Sequence, residues 1–229
     1  MNKRAIMIVL SIITVGLVIG GGLFLYDKNK KSPEDNVPPV IKEMIRLNED
    51  VKKTTIDIYN ASGKLEGMSM VQSRVGDMQK TVELIVNMRH LVEENQKAID
   101  RLIGFAQEHE TFFYRKNLDW IFAIKDFYTD HNVTQHHISR ANYLAAFETL
   151  VQYTFDNYAN IMELQSSQHM KTYDVYYMRY RTAADSHNRF NRKRIAFQNE
   201  FMEKYPEVKP FLPGSHQLEP FKFWDKFSF

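Results

Sequence analysis

Residues 40–65 read VIKEMIRLNEDVKKTTIDIYNASGKL, and the spacing of their apolar side chains decides the fold class. Apolar or small residues recur at alternating intervals of four and three positions, which is the period of one face of an α-helix. They are Val40, Met44, Leu47, Val51, Thr54, Ile58, Ala61 and Leu65. Such a seam predicts a long helix that packs along one face, as in helical hairpins and coiled coils.

A second seam follows the first after an extra step of three near Met68–Val71. Its predicted positions are Val75, Met78, Val82, Ile85, Arg89, Val92, Gln96, Ile99, Ile103 and Ala106. Just before this extra step, Asn60–Gly67 reads NASGKLEG, which is rich in residues that favour turns. This stretch is interpreted as a turn between two helices or a kink in one helix, and a break or kink is favoured.

The distribution of proline extends the helical prediction over most of the chain. All seven prolines lie outside residues 40–205, and a proline inside a helix costs about 3 kcal/mol. A nearly all-apolar helix is predicted over Thr111–Thr129, then a turn over 130–135 and a helix from about Thr134. The last helix ends before Pro206, and its predicted seam is Tyr173, Tyr176, Tyr180, Ala183, His187, Phe190, Arg194, Phe197 and Phe201. Residues 40–205 are therefore predicted to form an all-α antiparallel bundle of four or five long helices.

An uncharged stretch of 22 residues, AIMIVLSIITVGLVIGGGLFLY at positions 5–26, precedes the bundle. As a helix it is long enough to cross the hydrocarbon core of a bilayer, which is about 30 Å thick. Residues 1–27 are therefore predicted to be a membrane anchor, and the proline-containing residues 28–39 a polar linker. A cleaved secretory signal is the alternative, because Lys3 and Arg4 resemble its basic n-region.

Two features of this stretch bear on assembly and orientation. Gly16 and Gly20 form a GxxxG pair, which lets two membrane helices approach closely and makes a homodimer a hypothesis. Basic residues flank both ends of the stretch, so the positive-inside rule does not decide the orientation by itself. The short basic N-terminal tail and the absence of cysteine favour an extracytoplasmic C-terminal domain.

The sequence contains no motif for a cofactor, a phosphate loop or a catalytic nucleophile, so no cofactor and no enzyme activity are predicted. His131, His136 and His137 lie in or beside the predicted turn and could hold zinc, but solvated turn histidines are the favoured interpretation. His187 falls on the seam of the last helix and is predicted to be a hydrogen-bonded interior side chain. No metal site is predicted.

Basic residues of the last helix alternate with its aromatic seam, which predicts a basic outer face containing Arg189, Arg192 and Lys193. This face is a candidate contact for a protein partner or anionic lipid; nucleic acid is not favoured, because the aromatic residues are assigned to the core. The tail, residues 206–229, is rich in proline and aromatic residues, including Trp224 and Phe227. It is expected to fold back on the bundle as a strap, or to present aromatic side chains to a membrane or partner.

These observations favour a single-pass, membrane-anchored helical protein of the bacterial cell envelope that acts by binding, as a scaffold or accessory subunit, without catalysis. The alternative is a membrane-tethered helical sensor domain that binds a small ligand and signals through a partner. A polar pocket buried inside the bundle would favour the sensor over the scaffold.

Overall fold

The computed structural model describes residues 37–69, 75–164 and 166–213, and all regular structure within them is helical. The all-α prediction is therefore confirmed for this part of the chain. The elements are α1 (Pro39–Ser69), α2 (Val75–Glu108), α3 (Glu110–Arg115), α4 (Asp119–Thr129), α5 (His131–Asp156), a π-helical segment (Ala159–Glu163), α6 (Ser167–Lys204) and a 3-10 turn (Pro206–Val208).

The chain divides into two units, residues 1–46 and 47–229. In the first unit the described residues begin α1, where the amide of Ile41 donates to the carbonyl oxygen of Pro38 at 2.9 Å. None of the helices in the described ranges is both long and apolar enough to span a bilayer. The predicted span, residues 5–26 with Gly16 and Gly20, lies outside the described residues.

The turn or break predicted at Asn60–Gly67 is wrong, because α1 continues through this stretch without interruption, whereas a kink within the helix stays a prediction. Ala61 and Leu65 are buried on its inward face. Gly63 is exposed, and a Cβ atom placed there would meet nothing within 4 Å. An exposed glycine costs a helix only about 1 kcal/mol relative to alanine, so burial of the residues on either side is enough to keep the helix intact.

The single helix predicted over Thr111–Thr129 is divided into α3 and α4. Asn117 has a φ of 51°, a left-handed conformation that asparagine tolerates better than most residues. The amide of Leu118 then donates to the carbonyl oxygen of Phe113 at 3.1 Å and closes the end of α3. The apolar composition of this stretch concealed the break.

The start of α5 also differs from the prediction, because the expected turn at 130–135 is already helical from His131. Asp130 is the N-cap, and its side-chain oxygen accepts a hydrogen bond from the amide of Asn132 at 2.7 Å. Aspartate is among the favoured N-cap residues because it satisfies an amide that has no partner inside the helix. His136 and His137 therefore lie in the second turn of a helix and are not turn residues.

Helices α5 and α6 pack in opposite directions, as their ring contacts show. The ring centroids of His136 and His187 are 5.2 Å apart, those of Tyr143 and Tyr180 are 5.8 Å apart, and the residue numbers run in opposite senses. The hydrophobic core joins these two helices to α1 and α2. Its buried members include Ile58, Leu65, Ile85, Met88, Val92, Leu144, Phe147, Leu150, Tyr173 and Ala184.

Residues 206–213 follow α6 and pack against the helices. Phe211 stacks on Trp120 of α4 with ring centroids 4.4 Å apart. The carbonyl oxygen of Phe211 accepts a hydrogen bond from the side-chain amide of the buried Asn48 at 3.0 Å. Val208 and Leu212 are also buried. This first part of the tail is therefore held on the bundle; Trp224 and Phe227 lie outside the described residues.

Candidate functional site: a basic cavity inside the bundle

A cluster of polar side chains lies between α5 and α6 beside the hydrophobic core. His136 and Arg140 are four residues apart on α5, and His187 and Arg194 are seven apart on α6. These spacings place each pair on one face of its helix. All four residues are at least 95% buried, with exposed fractions of 2%, 5%, 2% and 4% in the same order. The seam of α6 thus carries an arginine into the interior.

Arg140 is bound on one side only. Its Nη2 atom lies 3.3 Å from Nδ1 of His136, and because arginine can only donate, the histidine nitrogen accepts. His136 is therefore neutral and carries its proton on Nε2. The Nε atom of Arg140 is buried and has no hydrogen-bond partner among the described residues.

Arg194 is bound by neutral amides. Its Nη1 atom donates to the side-chain oxygen of Gln198 at 2.6 Å, and its Nε and Nη2 atoms donate to that of Asn191 at 3.3 and 3.2 Å. The side-chain amide of Gln198 in turn donates to the carbonyl oxygen of Pro213. The tail and the interior of the bundle are therefore linked through one glutamine.

No carboxylate of the described residues pairs with Arg140 or Arg194; the described ion pairs lie elsewhere on the bundle. Removing a charged side chain from water costs roughly several kcal/mol per ion unless an opposite charge or hydrogen bonds compensate it. Amide partners compensate Arg194 in part, and Arg140 has only an imidazole. The interior thus holds two positive charges without a described counter-charge.

A cavity of about 30 Å³ opens beside these groups. It is lined by Thr55, Asn95, Ile99, Phe127, Tyr128, Val133, His136, His137, Arg140, Arg194, Gln198 and Pro213. Its volume exceeds the 10–15 Å³ or so that a single water molecule requires. Three lining side chains carry a buried polar atom without a described partner: Arg140 at Nε, Tyr128 at its hydroxyl and His137 at Nδ1.

Burial governs the protonation states around the cavity. It lowers the pKa of His187 to about 3, with the charges of Arg140 and Arg194 acting in the same direction. Burial and the same two arginines hold the pKa of His136 and of His137 well below the ordinary value. At neutral pH these imidazoles are uncharged.

The other groups around the cavity keep their protons at neutral pH. Burial lowers the pKa of Arg140 to about 10 and that of Arg194 to about 9, so both remain cationic. It raises the pKa of Tyr128, which keeps its hydroxyl proton. The cavity therefore combines two cations, a hydroxyl donor and neutral imidazoles.

The two positive charges in the cavity wall decide whether a cation or an anion could bind there. The imidazoles of His136 and His137 in the cavity wall would suit a metal ion by donor type, but the two guanidinium groups repel a cation. No grouping of histidine and acidic side chains in the described ranges has the geometry of a metal site. The donors and the charge are those of an anion site.

The residues predicted as partner contacts lie elsewhere. Arg189, Arg192 and Lys193 are exposed on α6, as the outer-face assignment requires. Arg189 and Lys193 both lie over the ring of Phe190, at 5.1 and 5.8 Å from its centroid. Arg194, which lies on the predicted seam of this helix, is buried.

A surface groove lies between the outer faces of α5 and α6. It has a volume of about 480 Å³, and its lining includes Ile138 and Met178. These two apolar side chains are 52% and 56% exposed, respectively. The groove also contains Arg179 and Phe190 and therefore adjoins the basic face.

Sequence reasoning missed the cavity, although part of its signal was present. The seam of the last helix included His187 and Arg194, and a charged residue at a seam position indicates a buried polar site. Arg140 and Tyr128 carried no comparable signal, because their burial depends on how α4 and α5 pack.

Comparison of this chain with protein-family models, with curated proteins and with solved structures finds no match.

Proposed function

We propose that this protein is a membrane-tethered, non-catalytic helical domain that acts by binding a small ligand inside its bundle. The observation that carries the proposal is the buried cavity in which Arg140 and Tyr128 present polar atoms without a described partner. A buried polar pocket favours the sensor form of the binding hypothesis over a pure scaffold, because a scaffold needs only its outer surface. A change in occupancy would alter the packing of α5 on α6 and reach a partner through these helices.

The membrane tether in this proposal is supported by the uncharged residues 5–26. An extracytoplasmic position in a bacterial envelope is supported by the short basic N-terminal tail and the absence of cysteine. A homodimer is supported by Gly16 and Gly20 within the proposed span.

A scaffold function is the second candidate, and the groove between α5 and α6 favours it. Exposed Ile138 and Met178 are flanked there by the basic face of α6. Aliphatic side chains rimmed by charge are typical of a surface that meets a protein. In this form the protein would hold a partner at the membrane, with Arg189, Arg192 and Lys193 as rim contacts.

A screen of chemically diverse small molecules for binding tests the proposed function. The full chain, purified in detergent, would be unfolded by heat with sets of neutral, cationic and anionic small molecules, and helix content would be followed by circular dichroism. A ligand that binds only the folded state raises the melting temperature in a saturable way. We expect at least one compound to do so, and turnover of none. A panel without any saturable stabilisation, or a chemically converted compound, would contradict the proposal.

A further inference from the structure

We propose that the cavity between α4, α5 and α6 is a binding site for a small oxyanion of the size of sulfate or phosphate, held by Arg140, Arg194 and Tyr128. This inference rests on the proposed binding function and names the chemical class of its ligand. Three observations support it: the positive charge of the cavity wall, the excess of hydrogen-bond donors over acceptors in that wall, and the small volume of the cavity.

The charge of the wall comes from two guanidinium groups that are 95% and 96% buried. The partners of Arg140 and Arg194 are an imidazole and two side-chain amides, all uncharged. Guanidinium groups bind oxyanions through charge-assisted N–H donors in a planar fork. An oxyanion would supply the counter-charge that the described residues do not.

The hydrogen-bonding capacity of the wall consists mainly of donors. Arg140 has an unpartnered N–H at Nε, and Tyr128 has an unpartnered buried hydroxyl. His137 can donate from its unpartnered Nδ1 if the ring proton lies there. A ligand that offers several acceptor oxygens would satisfy these groups together, whereas a neutral alcohol or amine would not.

The size of the space excludes large ligands. A cavity of about 30 Å³ accepts a group of a few heavy atoms, which is too small for a nucleotide, a sugar or a peptide. Most of the lining is buried, so the ligand would lose its hydration shell on entry. A compact oxyanion fits both restrictions.

The test is titration of the full chain in detergent with sodium sulfate and sodium phosphate in a low-chloride buffer, followed by calorimetry and by the melting temperature. Sulfate raises the stability of many proteins nonspecifically, so the proposed site must be separated from that effect by variants. Arg140→Gln removes a cation from the cavity wall. Arg101→Gln removes an exposed arginine from α2, away from the cavity and the basic face, and is the matched control.

We expect saturable binding of sulfate or phosphate to the unchanged chain and to Arg101→Gln. Arg140→Gln should bind at least about tenfold more weakly, because one of the two charged donors is lost. In anion-free buffer the melting temperature of Arg140→Gln should equal or exceed that of the unchanged chain, because a cation without a counter-charge has been removed. A purely structural arginine would give the opposite change.

A second variant keeps the test decisive if Arg140→Gln does not fold. Tyr128→Phe keeps the ring and removes only the hydroxyl donor, and it should weaken sulfate binding several-fold while the helix content stays the same. Equal affinity in Tyr128→Phe and the unchanged chain would overturn the proposal.

Three other results would also overturn it. Chloride that binds as tightly as sulfate would show a simple anion site without selectivity for oxygen acceptors. A neutral compound that binds at the cavity while sulfate and phosphate do not would leave the proposed function standing and the oxyanion assignment wrong. Sulfate binding that neither Arg140→Gln nor Tyr128→Phe weakens would show that the anion binds elsewhere on the protein.

Discussion

Arg140 and Arg194 differ in kind from Arg189 and Arg192, although all four belong to neighbouring stretches of α5 and α6. Arg189 and Arg192 are exposed to solvent, so folding does not remove their charges from water. The buried pair must be compensated from inside, and the described compensation consists of amides and an imidazole. Which arginine has which role depends on helical phase, because Arg192 and Arg194 are only two positions apart and point to different sides of α6.

The buried histidines predict a loss of stability on acidification. An unfolded histidine takes up its proton near pH 6.5, whereas burial and the charges of Arg140 and Arg194 lower the pKa of His187 to about 3. Between these values the unfolded state binds more protons, so the free energy of unfolding falls as the pH falls. At pH 5 the loss from His187 alone is expected to be about 2 kcal/mol, and His136 acts in the same direction.

Urea midpoints at pH 7 and pH 5 would measure this loss. His187→Gln should reduce the difference between the two midpoints, because it removes one of the buried imidazoles. His131→Gln, which replaces an exposed imidazole on α5, is the matched control. Identical pH dependence in all three proteins would show that His187 does not contribute.

In helix α2 the sequence predicted half of the buried positions correctly and misplaced those between them by one residue. Ile85, Val92, Ile99 and Ala106 are buried, as the spacing predicted. The positions between them are Met88, Asn95 and Leu102, whereas the prediction placed Arg89, Gln96 and Ile103 there. The correctly predicted residues are seven positions apart, and a buried residue between them can lie either three or four positions after the first. The apolar period is the same in both cases, so periodicity alone could not choose between them.

Asn95 explains why the buried set includes a polar residue. Its side-chain amide donates to the hydroxyl oxygens of Thr54 and Thr55 at 2.8 and 3.1 Å. A buried asparagine with satisfied donors fixes the register of two helices, because sliding one helix along the other would break these bonds. Asn95 therefore sets how α2 meets α1 beside the cavity.

Two neighbouring substitutions test the phase of α2. Met88→Ala should lower the free energy of unfolding by about 2–5 kcal/mol, because it empties space in the core. Arg89→Ala should lower it by less than about 1 kcal/mol, because the ion pair with Glu148 is partly exposed, with side-chain exposures of 44% and 26%. Chemical denaturation of both variants gives the comparison. A larger loss for Arg89→Ala would support the originally predicted phase.

The all-α class of the chain could be predicted because its signals extend over long stretches of the sequence. A proline-free stretch of this length and repeated seams leave few alternatives to a bundle, and the described residues contain only helical regular structure. Breaks at single residues, such as Asn117, and the cavity itself depend on contacts between helices that no local pattern encodes. The sequence therefore predicts the architecture better than the site.

The proposed membrane topology is testable with two reporters fused after Phe229. A periplasmic-type phosphatase that is active only outside the cytoplasm should be active, and a fluorescent protein that matures only in the cytoplasm should stay dark. The expectation follows from the short basic tail ahead of residues 5–26. The reverse pattern would place the helical domain in the cytoplasm, and recovery of the fusion without detergent would contradict the anchor.

Pro213 is both part of the tail and part of the cavity wall, and this has a practical consequence for handling the protein. Its carbonyl oxygen accepts from Gln198, and Phe211 is stacked on Trp120. An affinity tag, protease site or fluorophore inserted between Tyr205 and Pro213 would therefore disturb the interior of the bundle. Labels that must not disturb the protein belong away from residues 205–213, whereas a dye beside Phe211 would report on the cavity.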